Sequence, residues 1–106
     1  MPWRETTDPY RIYVSEIMLQ QTQVSRVGEK YPAFLSRFRD FGELASARLQ
    51  EVLTAWQGLG YNRRAKFLHE GSRIIVSRYG GVLPDDPELL VTLPGVGANT
   101  AGSLAA

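Results

Sequence analysis

The chain has 106 residues, of which 43% are hydrophobic and 22% are charged, so it has the composition of one folded domain and lacks the patterns of disordered and membrane-spanning chains. It contains no cysteine and one histidine, which excludes disulfides and thiolate metal sites within the chain, and one histidine cannot make a zinc site by itself. A formal net charge of +1 gives no support of its own for a nucleic acid partner.

The first third of the chain is predicted to form two helices. Asp8 is suited to cap the first helix, with Pro9 at its first position. The residues that follow are apolar on nearly every face, so this helix should be buried. Apolar residues at helical spacing predict a second helix from Val24, which Pro32 should bend or restart, and we expect the pattern to break at residues 41–42.

Further helices are predicted along the rest of the chain. A helical turn at 43–47 precedes an amphipathic helix at 49–56. A long helix begins near Asn62 and ends at the glycines of residues 80–81, and the Asp-Pro pair at 86–87 is a capped start for another. No segment alternates with a period of two, so the fold class is predicted to be all-α.

The stretch at 93–100, Leu-Pro-Gly-Val-Gly-Ala-Asn-Thr, joins that short helix to a last helix of small residues. Its two glycines suggest a turn that needs positive φ or close backbone approach. The free amides at the start of the last helix could bind an anion such as a DNA phosphate, because they lack partners within the helix. A tight connection between two helices explains the same residues equally well.

Glu16 is the strongest candidate for chemistry. On a helix its neighbours are Ile12, Tyr13, Leu19 and Gln20, so the carboxyl group should lie largely among apolar side chains. Desolvation would raise its pKa, which suits a group that must hold a proton near neutral pH. The alternatives are a glutamate that bonds a nearby tyrosine or one that faces solvent at the helix end.

Two more polar segments are candidates for DNA contact. The amides and hydroxyl of residues 20–22 could cap helix carbonyls or reach base edges in a duplex. Tyr61 follows a glycine turn and precedes the basic residues Arg63, Arg64 and Lys66, so it could be a wedge between bases beside cations that bind phosphate. A core tyrosine next to a solvated helix face is the alternative.

Short motifs along the chain occur in an order that is typical of one enzyme family. They are Pro2-Trp3-Arg4, Asp8-Pro9-Tyr10, Ser15-Glu16-Ile17-Met18-Leu19-Gln20-Gln21-Thr22-Gln23-Val24, Trp56-Gln57-Gly58-Leu59-Gly60-Tyr61, Gly80-Gly81 and Leu93-Pro94-Gly95-Val96-Gly97. The sequence therefore resembles the adenine DNA glycosylases, base-excision repair enzymes of the helix-hairpin-helix glycosylase superfamily that remove adenine mispaired with 8-oxoguanine or guanine. The resemblance covers essentially the whole chain.

The resemblance implies a fold and a role for each matching residue. Residues 1–106 would form most of a six-helix barrel domain, with the helix-hairpin-helix at about 87–106. Glu16 would be the general acid on adenine N7. Gln21 and Tyr61 would penetrate the duplex, while Trp3 and Val24 would line the adenine pocket. The other DNA-binding positions implied are Gln20, Thr22, Arg63, Arg64, Gly95, Val96, Gly97 and Thr100, with a monovalent cation at the hairpin.

Asn99 is expected at the substrate and departs from the related bifunctional glycosylases, which have a lysine there that forms a Schiff base. An asparagine cannot form one, which favours a monofunctional enzyme. Asn99 and Asn62 also differ from residues common in adenine glycosylases, so a thymine or uracil mismatch glycosylase is an alternative. A non-catalytic DNA-binding module is another.

The chain ends within an apparent helix at Ala106, so we expect it to be part of a longer protein. The resemblance implies that a second catalytic aspartate, the cysteines of a 4Fe-4S cluster and the domain that recognises 8-oxoguanine lie beyond this residue. The fragment alone should then lack full activity. We further expect a monomer that binds mismatched or damaged double-stranded DNA, with no membrane contact, in the cytoplasm of a bacterium or archaeon at the nucleoid.

Overall fold

A computed structural model describes residues 8–20, 22–60 and 62–105, and in these ranges the chain forms helices and no strand. The predicted all-α class is therefore confirmed. Trp3, Gln21 and Tyr61 lie outside the described residues. No helix in these ranges is long and apolar enough to cross a membrane. The helices are α1 (Pro9–Leu19), α2 (Val24–Arg37), α3 (Phe41–Ser46), α4 (Leu49–Trp56), α5 (Asn62–Tyr79), α6 (Pro87–Leu90) and α7 (Ala98–Ala105).

Helix α1 is the central element of the fold and packs against α2, α5 and α7. Its start is fixed as predicted, because the Asp8 carboxylate accepts a hydrogen bond of 3.1 Å from the Tyr10 amide and Pro9 occupies the first turn. The prediction of a buried helix is confirmed by its side chains, of which the following are buried: Tyr10, Tyr13, Val14, Ser15, Ile17 and Met18.

The break predicted at residues 41–42 is wrong. Helix α2 continues through Pro32 to Arg37, and the chain turns at residues 38–40. Asp40 then caps α3 by accepting a hydrogen bond of 2.8 Å from the Glu43 amide, so α3 begins at Phe41. The Phe41 ring is buried against Tyr10, with 4.9 Å between the ring centroids, which explains why the helix starts there.

Helices α3 and α4 pack on α5, and glycines end α4 and α5 as predicted. After α4, Gly58 and Gly60 have φ values of 93° and 74°. Residues that carry a side chain rarely adopt this left-handed backbone conformation. Trp56 at the end of α4 is fully buried and meets the Phe34 ring edge to face at 6.1 Å between centroids. The buried Trp56 therefore fixes the position at which the chain enters the glycine turn before α5.

Helices α6 and α7 pack against each other, and α7 also packs against α1. The predicted cap of α6 is confirmed, since the Asp86 carboxylate accepts a hydrogen bond of 3.0 Å from the Glu88 amide. The turn at 91–97 connects the two helices. This packing brings the turn, called the hairpin below, to the C-terminal end of α1.

Candidate functional site

Gly95 gives the hairpin its shape. Its φ is 77°, and a Cβ atom at this position would come within 3.0 Å of the Phe67 side chain on α5. Both the backbone conformation and the close approach require glycine, as the sequence suggested. The Gly95 residue is exposed, so the backbone of the turn faces solvent.

Gly97 differs from this expectation. It is not among the described glycines with positive φ, and a Cβ atom there would meet nothing within 4 Å. Its carbonyl accepts a hydrogen bond of 2.8 Å from the Ala101 amide and so supports the first turn of α7. The absence of a side chain therefore leaves open space in front of the backbone, which permits close approach by a ligand.

Val96 was predicted to contact DNA, which stays a prediction, and the structure shows what its side chain and its amide already contact. The side chain is only 5% exposed and belongs to the core. Its amide is also used, because it donates a hydrogen bond of 3.1 Å to the Leu93 carbonyl and closes the turn. Burial of one apolar residue between two exposed glycines anchors the hairpin to the domain.

The side chain of Gln20 connects α1 to the hairpin. Its amide nitrogen Nε2 donates hydrogen bonds to the Gly95 carbonyl at 3.2 Å and to the Thr100 hydroxyl at 3.1 Å. Gln20 and Thr100 were both predicted to contact DNA, and they are in contact with each other. We call this pair of hydrogen bonds the Gln20 bridge. It holds together segments that are 75 and 80 residues apart in the sequence.

Glu16 lies one helical turn before Gln20, on the same side of α1. It is half-buried, and the neighbouring Tyr13 and Ile17 of the same helix are fully buried. Within the described residues it makes no hydrogen bond or ion pair. The carboxylate is therefore held by a rigid helix and is available to a ligand.

Arg64 was predicted to bind DNA, which stays a prediction, and the structure shows its guanidinium engaged in protein contacts. The residue is only 7% exposed, and its Nη1 atom donates hydrogen bonds of 2.9 Å to the carbonyls of both Ile17 and Met18, and a further one to the carbonyl of Gln20. These carbonyls end α1, where a helix has no internal donors and its dipole favours a cation. The guanidinium also lies over the Trp56 ring, 5.3 Å from the centroid.

Thr22 is likewise occupied by protein contacts. Its hydroxyl donates a hydrogen bond of 3.3 Å to the Leu59 carbonyl and accepts one from Arg64. Its predicted contact with DNA would have to replace or accompany these bonds. The segment after α1 is thus fastened to the glycine turn after α4.

The other predicted positions are accessible. Val24 is 49% exposed at the start of α2, and Arg63 is exposed on α5. Asn99 is exposed on α7 and lines an open cavity of about 620 Å³ in front of the hairpin. The lining residues are Gln20, Arg64, Phe67, Gly95, Gly97, Ala98, Asn99 and Thr100.

This cavity has the features of an anion site. Its polar lining includes exposed glycine backbone, the first-turn amides of α7 and the side chains of Gln20, Arg64, Asn99 and Thr100. The amides at the start of a helix carry partial positive charge. Two of its residues, Arg64 and Phe67, were not assigned to the hairpin from the sequence. The last turn of α1 has no basic residue of its own. This sequence feature is consistent with a cation from another helix at that end.

Comparison with known proteins gives consistent matches along the chain. A family model described as an HhH-GPD superfamily base excision DNA repair protein matches residues 14–104. The chain is 48% identical over 106 residues to the adenine DNA glycosylase of Mycobacterium tuberculosis, a match that covers 99% of this chain and 35% of that protein. It is 42% identical over 114 residues to the adenine DNA glycosylase of Homo sapiens, covering 99% of this chain and 21% of that one.

Solved structures show the same fold. A thermostable thymine-DNA glycosylase superposes with a TM-score of 0.92 at 32% identity, covering 99% of this chain and 49% of that chain. A trapped covalent intermediate of endonuclease III with DNA superposes with a TM-score of 0.88 at 21% identity, covering 94% and 47%. The predicted helix-hairpin-helix glycosylase fold is thereby confirmed. The chain spans about a third or less of the length of these curated relatives.

Proposed function

Since this chain belongs to the HhH-GPD superfamily of base excision DNA repair proteins, we propose that the whole protein is a DNA glycosylase that removes adenine mispaired with 8-oxoguanine or guanine. The Gln20 bridge carries the proposal, because it places Glu16 one helical turn from a cavity suited to a DNA backbone. Similarity favours adenine as the base, at 48% identity to an adenine DNA glycosylase against 32% to a thymine-DNA glycosylase.

Glu16 is the proposed general acid. Proton transfer from its carboxyl group to N7 makes adenine a neutral leaving group, so the bond from C1′ to N9 breaks through an oxocarbenium-like state. Water then adds to C1′ and gives up a proton to the Glu16 carboxylate, which restores the acid. The half-buried position of Glu16 supports this role, since a base turned out of the duplex can reach the carboxyl group while buried neighbours fix its helix. Val24, with Trp3, would offer apolar surface to that base.

The proposed partner is double-stranded DNA with a mismatched or damaged base pair. Amides at Gly95 and Gly97 and in the first turn of α7 would bind phosphate, and the exposed Arg63 would add a cation nearby. Gln21 and Tyr61 would enter the duplex beside the target base. We propose that the enzyme acts as a monomer at the nucleoid, in the cytoplasm of a bacterium or archaeon.

A monovalent cation at the hairpin also fits the donor atoms present. The described backbone leaves the carbonyl oxygens of Pro94 and Val96 without hydrogen bonds, and such oxygens are ligands for monovalent cations. When bound, the cation would add positive charge near a phosphate. A 4Fe-4S cluster does not fit this chain, which has no cysteine, so its ligands would have to come from elsewhere in the whole protein.

Asn99 supports hydrolysis without a covalent enzyme intermediate. It is exposed on α7 and lines the cavity, but its amide is not the amine that a Schiff base with the abasic sugar requires. The proposed enzyme is therefore monofunctional, with water as the nucleophile.

The test is a substrate profile of the full-length protein. Duplexes that contain an A:8-oxoguanine, A:G, T:G or U:G pair are incubated with excess enzyme, released bases are quantified, and borohydride is added to trap any Schiff base. We expect adenine release from the first two duplexes and no trapped complex. Release of thymine or uracil instead would support the mismatch glycosylase alternative, and binding without release of any base would support the non-catalytic module.

A further inference from the structure

The buried guanidinium of Arg64 joins two segments that are far apart in the sequence. Its Nη1 atom donates to the Gln20 carbonyl and its Nη2 atom to the Thr22 hydroxyl, so it holds the segment at 20–22 that follows α1. The same Nη2 atom lies 3.4 Å from the Leu59 carbonyl and 3.5 Å from the Gly60 carbonyl. One planar group thus contacts both segments.

Other hydrogen bonds hold the same two segments together. The Thr22 hydroxyl donates to the Leu59 carbonyl at 3.3 Å, and the Nη1 atom of Arg26 donates to the Gly58 carbonyl at 3.1 Å. The Trp56 indole nitrogen donates to the Gly60 carbonyl at 3.0 Å, which fixes the glycine turn against the core. Arg64 lies at the centre of these contacts, because it also binds the last carbonyls of α1.

We propose that Arg64 is a positioning residue that sets the spacing between these two segments and thereby the entry of Gln21 and Tyr61 into DNA. The inference rests on the proposed function, which assigns duplex penetration to the residues directly after Gln20 and Gly60. The supporting contacts are those of the neighbouring described residues. Arg64 binds the Gln20 carbonyl and the Thr22 hydroxyl on either side of residue 21, and the Gly60 carbonyl directly before residue 61. Arg64 acts on the DNA through these segments, since it is 7% exposed and its described hydrogen bonds go to protein acceptors.

The chemistry of the site requires arginine. A guanidinium has five N–H donors in a rigid plane, so it can serve acceptors on two segments at once while its Cζ atom lies over the Trp56 ring, 5.3 Å from the centroid. A lysine ammonium keeps the charge at the end of α1 but has three donors around one atom. Lysine should therefore preserve much of the stability while it loses the fixed spacing.

The experiment compares variants of the full-length protein. Arg64→Lys and Arg64→Met test the positioning role, Arg63→Met represents loss of an exposed cation, and Arg73→Met is the matched control at an exposed site of the same helix. The readouts are the thermal midpoint, the affinity for undamaged duplex as a function of salt, the single-turnover rate of adenine release at saturating enzyme, and the fluorescence of 2-aminopurine beside the mismatch, which reports unstacking.

We expect Arg64→Lys to stay folded and to lower the saturated release rate and the 2-aminopurine signal by roughly tenfold or more, since small displacements near reacting groups have effects of this size. Its affinity for undamaged duplex and its salt dependence should match those of Arg73→Met. Arg63→Met should instead weaken affinity and reduce the salt slope by about 1.

A change in salt slope for Arg64→Lys equal to that of Arg63→Met would overturn the inference, because it would show a direct phosphate contact. Unchanged unstacking in Arg64→Lys would also overturn it. If Arg64→Met fails to fold, Thr22→Val serves as the second variant, with the same expected signature from loss of one shared acceptor. If the wild type unstacks the duplex but releases no adenine, the proposed function fails while the positioning role is still decided by fluorescence.

Discussion

Gln20 and Thr100 are joined by a hydrogen bond of 3.1 Å between the Gln20 amide nitrogen and the Thr100 hydroxyl, and the same nitrogen reaches the Gly95 carbonyl at 3.2 Å. The bridge connects the helix that carries Glu16 to the hairpin. Any group that docks on the hairpin is therefore placed at a defined distance from that carboxylate.

The first prediction concerns this bridge. Gln20→Leu removes both hydrogen bonds and should reduce the free energy of unfolding by about 1–3 kcal/mol, at roughly 0.5–1.5 kcal/mol for each bond. Thr100→Val removes one bond and should have about half the effect, whereas Thr100→Ser should retain it. Urea unfolding measures all three, with Ser103→Ala on the exposed side of α7 as control. Equal stability of Gln20→Leu and the control would show that the bridge contributes nothing.

The second prediction separates the two hairpin glycines. Gly95→Ala must hold a φ of 77° and bring a Cβ atom within 3.0 Å of Phe67, so it should lose about 1–3 kcal/mol of stability. Gly97→Ala has neither problem and should unfold at nearly the wild-type urea concentration. Its new methyl group stands in the open space before the backbone, so it should weaken binding to duplex DNA.

Measurement of stability and DNA affinity for both glycine variants checks this separation. A stable Gly95→Ala variant would contradict the strained turn. Wild-type DNA affinity in Gly97→Ala would contradict close approach of the phosphate backbone at that residue.

The third prediction concerns a close contact between α1 and α5. A Cβ atom at Gly71 would collide with the hydroxyl of Tyr13, whose ring carbon Cζ lies 3.4 Å away. Gly71→Ala should therefore cost about 1–3 kcal/mol in the wild-type background. With Tyr13→Phe, which removes a buried hydroxyl that has no hydrogen-bond partner among the described residues, the same change should be neutral or stabilising by up to about 1 kcal/mol.

A double-mutant cycle from urea unfolding gives the coupling between Gly71 and Tyr13. Strictly additive effects of the two substitutions would show that the methyl group and the hydroxyl do not compete for space.

The fourth prediction is a loss of stability at alkaline pH. Burial raises the pKa of the Tyr13 hydroxyl above its ordinary value, and burial with nearby carboxylates does the same for the pKa of Tyr10. The unfolded chain releases these protons near pH 10 while the folded chain keeps them, so stability is full below about pH 10 and falls as the pH rises further.

Unfolding free energies measured from pH 8 to 11 check this sign. Tyr13→Phe should reduce the slope of the free energy of unfolding against pH by the equivalent of up to one proton. Tyr79→Phe, at the half-buried end of α5, is the control. If the free energy of unfolding falls with pH equally steeply in Tyr13→Phe and in the wild type, then the Tyr13 hydroxyl does not contribute to the loss of stability.

Elements with local signals were predictable from the sequence. The caps at Asp8 and Asp86 and the glycines after α4 and α5 fixed helix ends through contacts between near neighbours, and the structure confirms them. Arg64 and Val96 are more buried than their predicted contact with DNA suggested, because exposure of a side chain depends on what packs opposite it. The carbonyls of Ile17, Met18 and Gln20 that hold Arg64 lie 44 to 47 residues away, and no pattern near Arg64 in the sequence marks them.

The candidate site was therefore only partly predictable. The motifs identify Glu16, Gly95 and Asn99 as site residues. In the structure, Gly95 and Asn99 both line the open cavity between α1 and α7. The Gln20 bridge could not be predicted, since a glutamine has no fixed partner until the fold brings one within reach.

The most direct measurement of the central claim is the effect of Glu16→Gln in the full-length protein. Glutamine keeps the size of the side chain but cannot donate a carboxyl proton. We predict that single-turnover release of adenine from an A:8-oxoguanine duplex falls by at least about 100-fold, within the range for loss of a general acid, while affinity for the duplex and the thermal midpoint stay near wild type. Adenine release at close to the wild-type rate would contradict the role of Glu16.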